Sequence, residues 1–291
     1  VGKVTGIAWT DHTFNPWWGC LKVSPGCAHC YAENIATRYG HDVWGPSAGR
    51  RLFDDRHWHE PELWNRAAGL DGIRRRVFCG SMCDIFEDLP TLYSQRARLF
   101  ELIEATPDLD WLLLTKRPEN ITGMAPAGFG LRPNVWLGTS VEDQLRASQR
   151  VPALLQVGAR KRFLSVEPLL EPVRLMLYNT SSFTDADGEH AIATEWIDWV
   201  IVGGESGPGA RPMDPDWVGS ILRRCRDNRV AFFMKQLGGH PDKRAHPETW
   251  PAELRIQQFP ELAQTAGRPA DPAPGGPGAS AGRQTAPSEP G

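Results

Sequence analysis

Six short runs of aliphatic, β-branched and aromatic residues punctuate this chain, at 76–80, 111–115, 135–139, 162–166, 199–203 and 230–234. Each has the length and residue type of a buried β-strand. Longer stretches with helical spacing of their apolar positions lie between them, at 91–105, 142–156 and 215–228. The last opens on Asp214-Pro215, a capping carboxylate followed by proline in the first turn, which marks a helix start. Near-continuous apolar strands alternating with helices predict a parallel sheet covered on both faces, either doubly wound or a barrel.

The polar positions favour a complete or partial barrel. Directly after the strands come Ser81 and Asp84, Thr115-Lys116-Arg117, Ser140 with Glu142, Glu167, Glu205-Ser206 and Lys235-Gln236. Any one of these could simply cap the following helix. In a βα barrel, however, the C-terminal strand ends converge on one mouth, where active sites form. Glu205 sits in Gly203-Gly-Glu-Ser-Gly207, where the glycines let a backbone approach a ligand closely.

Two polar stretches interrupt this pattern. Residues 179–195 read as a surface insertion. Residues 263–291, mostly Ala, Gly, Pro, Ser and Thr with no large apolar side chain, read as a disordered tail that cannot offset its ordering entropy. The body, 1–262, is long enough for one large α/β domain at 41% apolar content. A net charge of -3 gives no global attraction to nucleic acid, so such a partner would need a local basic patch. No apolar run approaches the ~20 residues of a membrane span. No signal-peptide pattern opens the sequence, so a cytoplasmic location is expected and a disulfide framework for the six cysteines is not.

The cysteines carry the candidate chemistry. Cys20, Cys27 and Cys30 fall within eleven residues, in a loop with Gly19, Pro25 and Gly26. A helix is predicted to start at the last of them, over 31–39, where its N-terminus favours the negative charge of bound thiolates. A structural zinc would need a fourth ligand from His12, His29, Cys79 or Cys83, whereas an iron–sulfur cube held by three cysteines leaves one iron open. Cys79, Cys83 and Cys225 otherwise read as buried thiols. Trp9, Trp17, Trp18, Trp44, Trp58 and Trp64 crowd the first quarter of the chain, where they can pack the core or stack on bases.

With the cysteine loop go the motifs Gly80-Ser-Met-Cys-Asp84, Leu113-Leu-Thr-Lys-Arg-Pro118, Gly138-Thr-Ser-Val-Glu142, Leu164-Ser-Val-Glu-Pro168, Gly203-Gly-Glu-Ser-Gly207 and Met234-Lys-Gln-Leu-Gly-Gly239. Together they resemble the radical S-adenosylmethionine (SAM) superfamily. They are most similar to a family of phage and bacterial proteins with this three-cysteine motif and no assigned role. The resemblance spans 6–239 and departs from the usual Cys-x-x-x-Cys-x-aromatic-Cys spacing, because six residues separate Cys20 from Cys27.

The resemblance implies a complete or partial TIM-like barrel carrying a [4Fe-4S] cluster on Cys20, Cys27 and Cys30. It further implies reductive cleavage of SAM and hydrogen abstraction from a substrate, with an electron donor as partner. By the same resemblance His29 would lie near the adenine, and Ser81 and Asp84 would meet the SAM ammonium. Ser140, Glu142, Glu167 and Glu205 would take its other polar groups. Lys116, Arg117, Lys235 and Gln236 are left for the substrate or for a carboxylate, the charged ones pairing with Glu167 or Glu205 as a structural network if they are not free; if they are free, a nucleotide or nucleic acid is the first expectation for the substrate. A peptide or small metabolite, or a zinc-stabilised nucleic-acid-binding protein without catalysis, are the rivals.

Overall fold

The structure, a computed structural model, describes residues 5–184 and 190–260. The expected tail, 263–291, and the tip of the expected insertion lie outside the described residues.

Seven parallel strands form the main sheet: β1 (His12–Phe14), β2 (Arg75–Cys79), β3 (Leu109–Thr115), β4 (Val135–Ser140), β5 (Lys161–Val166), β6 (Trp199–Gly203) and β7 (Ala231–Gln236). Their spatial order follows the chain from β1 to β7. A doubly wound sheet would reverse direction partway, so sequential order identifies a singly wound, curled half-barrel. The barrel is partial, because β1 and β7 end the sheet as edges among the described residues.

Helices α1 (Tyr31–Arg38), α2 (Glu60–Asp71), α3 (Tyr93–Ala105), α4 (Gln144–Leu155) and α5 (Pro215–Asp227) occupy the connections. Asp143 and Asp214 cap α4 and α5 by accepting from the backbone N–H of Arg146 and Asp216. Asp214 therefore performs the role its place before Pro215 predicts. The stretch expected as an insertion forms an antiparallel hairpin, Tyr178–Thr184 with His190–Trp196.

Alternation along each strand sends apolar side chains to both faces. Val77, Trp111, Leu113, Leu137, Leu164, Val200, Val202, Phe232 and Met234 belong to the larger core. Phe78, Leu112, Trp136, Phe163, Trp199, Ile201 and Phe233 build a second core on the opposite face, joined by Trp9. Trp9 packs 4.6 Å from Phe78 and 6.1 Å from Trp199, ring centre to ring centre. From the other end of the chain Phe259 packs 5.3 Å from both Trp199 and Phe233, and Trp199 Nε1 donates to the Gln258 carbonyl at 2.9 Å. This concave face is thus aromatic toward the strand starts. Toward the strand ends it turns small and polar, with Ser140, Ser165, Gly203 and Lys235, and there it opens.

Trp199 touches Trp9, Trp136, Phe163, Phe233 and Phe259, so Trp199→Ala should destabilise the protein by about 3–5 kcal/mol. Urea unfolding measures this, and a loss under about 1 kcal/mol would contradict the aromatic floor described above.

Candidate functional site

The strand ends and the cysteine loop enclose a cavity of about 330 Å³. Cys20, Cys27, Cys30, His29, Ser81, Asp84, Lys116, Ser140, Glu167, Glu205, Lys235 and Gln236 all line it, over a floor that includes Trp9, Phe78 and Leu114. Of the residues singled out from sequence, Glu142 and Arg117 stand behind the wall rather than on it. Parallel topology explains the convergence, since every strand delivers its following residues to the same edge.

The cysteine loop is tied to the sheet at several points. Gly19 pairs with Cys83 and Cys20 with Trp44 as isolated bridges, and Gly19 N donates to Met82 O at 3.0 Å. Asn15 Oδ1 accepts from Met82 N at 2.7 Å while its Nδ2 donates to Ser81 Oγ at 2.9 Å. Cys30 is the N-cap residue of α1, where the sequence predicts a helix start. Beneath the loop, Glu142 is fully buried; it accepts from Ser24 Oγ at 2.9 Å and Arg150 Nη1 at 2.8 Å, and pairs with Lys116 Nζ at 3.4 Å. A Cβ on Gly26 would lie 2.3 Å from Glu142 Cγ, so only glycine lets the loop settle onto this carboxylate.

Asp84 is likewise committed. It accepts from Thr115 Oγ1 at 2.6 Å, Lys116 N at 3.0 Å, Phe86 N at 3.1 Å and Arg117 Nη1 at 2.7 Å. Arg117 also donates to Leu21 O at 2.9 Å and stands 4.0 Å from Cys20 Sγ. The two residues therefore clamp the loop, and their charges answer each other.

Across the cavity, Glu167 reaches over β6 to Lys235 Nζ at 2.9 Å and accepts from Ser165 Oγ at 3.2 Å. Gly203 makes that crossing possible, since a Cβ there would lie 2.4 Å from Glu167 Oε1. Glu205 is held by three hydrogen-bond donors from Arg211, and its Oε2 also accepts from His29 Nδ1 at 3.0 Å. Arg211 bonds on to Pro25 O at 3.0 Å, fastening this side of the loop. Ser140 is 2% exposed, and its hydroxyl has no hydrogen-bond partner among the described residues.

Burial pushes the Cys20 thiol up to about 12, with Asp84 adding to the shift and Arg117 opposing it. Burial raises Cys30 too, against backbone N–H groups at the start of α1 and the Lys116 ammonium. Any group that binds these sulfurs as thiolates must displace firmly held protons. Lys116 and Arg117 are the cations placed to compensate.

Of the alternative zinc ligands, His29 and Cys83 share the cavity. His12 instead stacks on Trp64 at 4.3 Å, and Cys79 is buried in the larger core with Cys225. Trp17, Trp58 and Trp64 are core residues, Trp9 and Trp44 line the cavity, and Trp18 sits under Arg51 at 4.7 Å. Among the described residues no three His, Cys, Asp or Glu side chains stand so that they could hold a metal ion. None of the described helices is long and apolar enough to cross a membrane.

Sequence reasoning missed Asn15 and Arg211. Asn15 precedes Pro16 ahead of the cysteines, and Arg211 lies in a Gly/Pro-rich loop after Gly203-Gly-Glu-Ser-Gly207. Proximity to those motifs was the available signal.

Fold and site together define a partial β/α barrel with a thiol-lined cavity at the C-terminal edge of its sheet. The chain belongs to the family described as protein of unknown function (DUF5131), whose model matches residues 4–271. Neither the curated proteins nor the solved structures gave a match to it.

Burial favours the neutral form of Glu205, but hydrogen bonds from the Arg211 side chain and backbone and from His29 outweigh it, holding the carboxyl at about 2 against an ordinary 4.5. The folded state then binds this proton more weakly than the unfolded chain. The carboxylate's contribution to stability is complete above pH 4.5 and is lost as the pH falls toward 2. Glu205→Gln should flatten this part of the acid-unfolding curve, and an unchanged slope would contradict the assignment.

Proposed function

We propose that this protein is a radical SAM enzyme. Cys20, Cys27 and Cys30 would hold a [4Fe-4S] cluster, and the cavity would take SAM beside the substrate. The observation that carries the reading is the opening of three thiols and the polar ends of the strands onto one cavity. The donor set fits such a group: three soft ligands lie on an irregular loop with cations beside them, and space remains on the far side of the sulfurs. Each thiolate of a cluster binds a different iron and stands apart from the others, whereas one zinc ion draws its ligands into a single tetrahedron.

When bound, the cluster and SAM supply one-electron radical chemistry, with the electron coming from a separate donor. The protein's part is to bind, orient and exclude water. Asp84 and Arg117 fix the Cys20 side of the loop, while Glu205, Arg211 and His29 fix the Cys27 side. Ser140 offers the cavity an uncommitted hydroxyl. Glu167, paired with Lys235, and Gln236 form the opposite wall, which is the proposed substrate side.

The substrate class we favour is a nucleotide or nucleic acid. Trp9, Trp44 and Phe78 offer aromatic surface to the cavity, and Lys243 lines it with no carboxylate partner among the described residues. Lys116, Arg117 and Lys235 are each paired with a carboxylate, so the phosphate would lie toward Lys243. Binding of a single-stranded oligonucleotide should then weaken steeply with salt, and salt-independent or undetectable binding would favour a peptide or small metabolite.

The reaction itself is tested by anaerobic reconstitution with iron and sulfide, followed by reduction in the presence of SAM. Methionine and 5′-deoxyadenosine are expected, and Cys27→Ala should lose the iron–sulfur chromophore. If neither product forms and the protein retains zinc instead, the enzyme reading is wrong.

A further inference from the structure

Building on the nucleotide reading of the cavity, we infer that Ser165 and Lys235 select the base, admitting one that carries a ring N–H beside a carbonyl (a lactam edge) and rejecting one that carries an amine beside a bare ring nitrogen. Both residues line the cavity, and both spend a hydrogen on the same atom: Ser165 Oγ donates to Glu167 Oε2 at 3.2 Å, and Lys235 Nζ donates to it at 2.9 Å. A hydroxyl has one hydrogen and an ammonium has three. Ser165 is thereby left as an acceptor only, and Lys235 as a donor with hydrogens to spare. Gly203 allows this arrangement, because a Cβ there would lie 2.4 Å from Glu167 Oε1. Ser140 completes the row: it is paired with Ser165 across β4 and β5, is 2% exposed and lines the cavity, and its hydroxyl has no partner among the described residues. That hydroxyl can donate or accept.

The row sets the chemistry of its ligand. Glu167 and Lys235 form an ion pair, so an anion gains little here and the hydrogen-bond pattern decides. A ring N–H meets the Ser165 oxygen and the adjacent carbonyl meets the Lys235 ammonium, the edge that uracil, thymine and guanine present. Ser140 then donates to the second carbonyl of the pyrimidine or accepts from the amine of guanine. Cytosine would turn a lone pair toward the Ser165 oxygen and an amine toward the Lys235 ammonium, leaving both without a partner. A main-chain peptide amide is trans and points its N–H and C=O to opposite sides, so it cannot satisfy the two residues at once. Phe78 and Leu114 line the same cavity and offer the ring an apolar surface.

Equilibrium dialysis of the full chain against uridine and cytidine 5′-monophosphates tests this, since the two differ only at that edge. Wild type should bind the uridine nucleotide more tightly by about tenfold or more. Ser165→Ala leaves Glu167 its bond to Lys235 and should cut the preference to under about threefold. Lys235→Gln can donate to Glu167 and turn its amide oxygen to the cavity, so the preference should fall there too. Ser140→Ala should weaken both nucleotides alike and keep their ratio. Equal binding of the two by wild type, or a preference for the cytidine nucleotide, overturns the inference and leaves the nucleotide reading standing. An unchanged preference in Ser165→Ala overturns it as well, and Lys235→Gln takes over that role if Ser165→Ala does not fold. If neither nucleotide binds, the inference falls, and the oligonucleotide titration judges the nucleic-acid reading separately.

Discussion

A carboxylate with no access to water holds the cysteine loop against the sheet. Glu142 follows β4, and its partners come from three other places: Ser24 in the loop, Lys116 after β3 and Arg150 on α4. Burying that charge is tolerable only because all three donors are present. The requirement runs both ways, because Gly26 must lack a side chain for the loop to sit over the carboxylate. Glu142 thus joins the Arg117 bond to Leu21 O and the Arg211 bond to Pro25 O in fixing where the cysteine loop sits.

The sheet supplies the rest. Sequential parallel strands bring their C-terminal ends to one edge, while the concave face beneath is filled by aromatic rings from Trp9 to Phe259. Filling the lower part of the half-barrel leaves a cavity only at the top, where Ser140, Ser165 and Gly203 are small. Nearly every charge lining that cavity is matched: Asp84 by Arg117, Glu205 by Arg211, Glu167 by Lys235 and Lys22 by Glu33.

The main strands after β1 were legible because each is a compact apolar run, and they lie within a residue or two of where the pattern sets them. The first strand, His12–Phe14, is too short and too polar to stand out, and its place comes from pairing with β2. The helix from Tyr31 was readable from the residues after the last cysteine. Convergence of the strand-end residues was legible too, since it follows from parallel topology. What the local sequence does not encode is which of these polar groups spend themselves on one another. Lys116 and Arg117 look available for a ligand until Glu142 and Asp84, each remote in sequence, are found beside them. Arg211 was invisible for the same reason: its partner Glu205 and its contact at Pro25 are joined only by the fold.

The central claim is that three thiolates leave one iron open to SAM. It is tested most directly by electron paramagnetic resonance of the reduced, reconstituted protein with SAM isotopically labelled at its amino nitrogen and carboxylate oxygens. The account predicts a change in the cluster signal on adding SAM and hyperfine coupling to both labels. A reduced cluster whose signal ignores SAM and shows no coupling would contradict it.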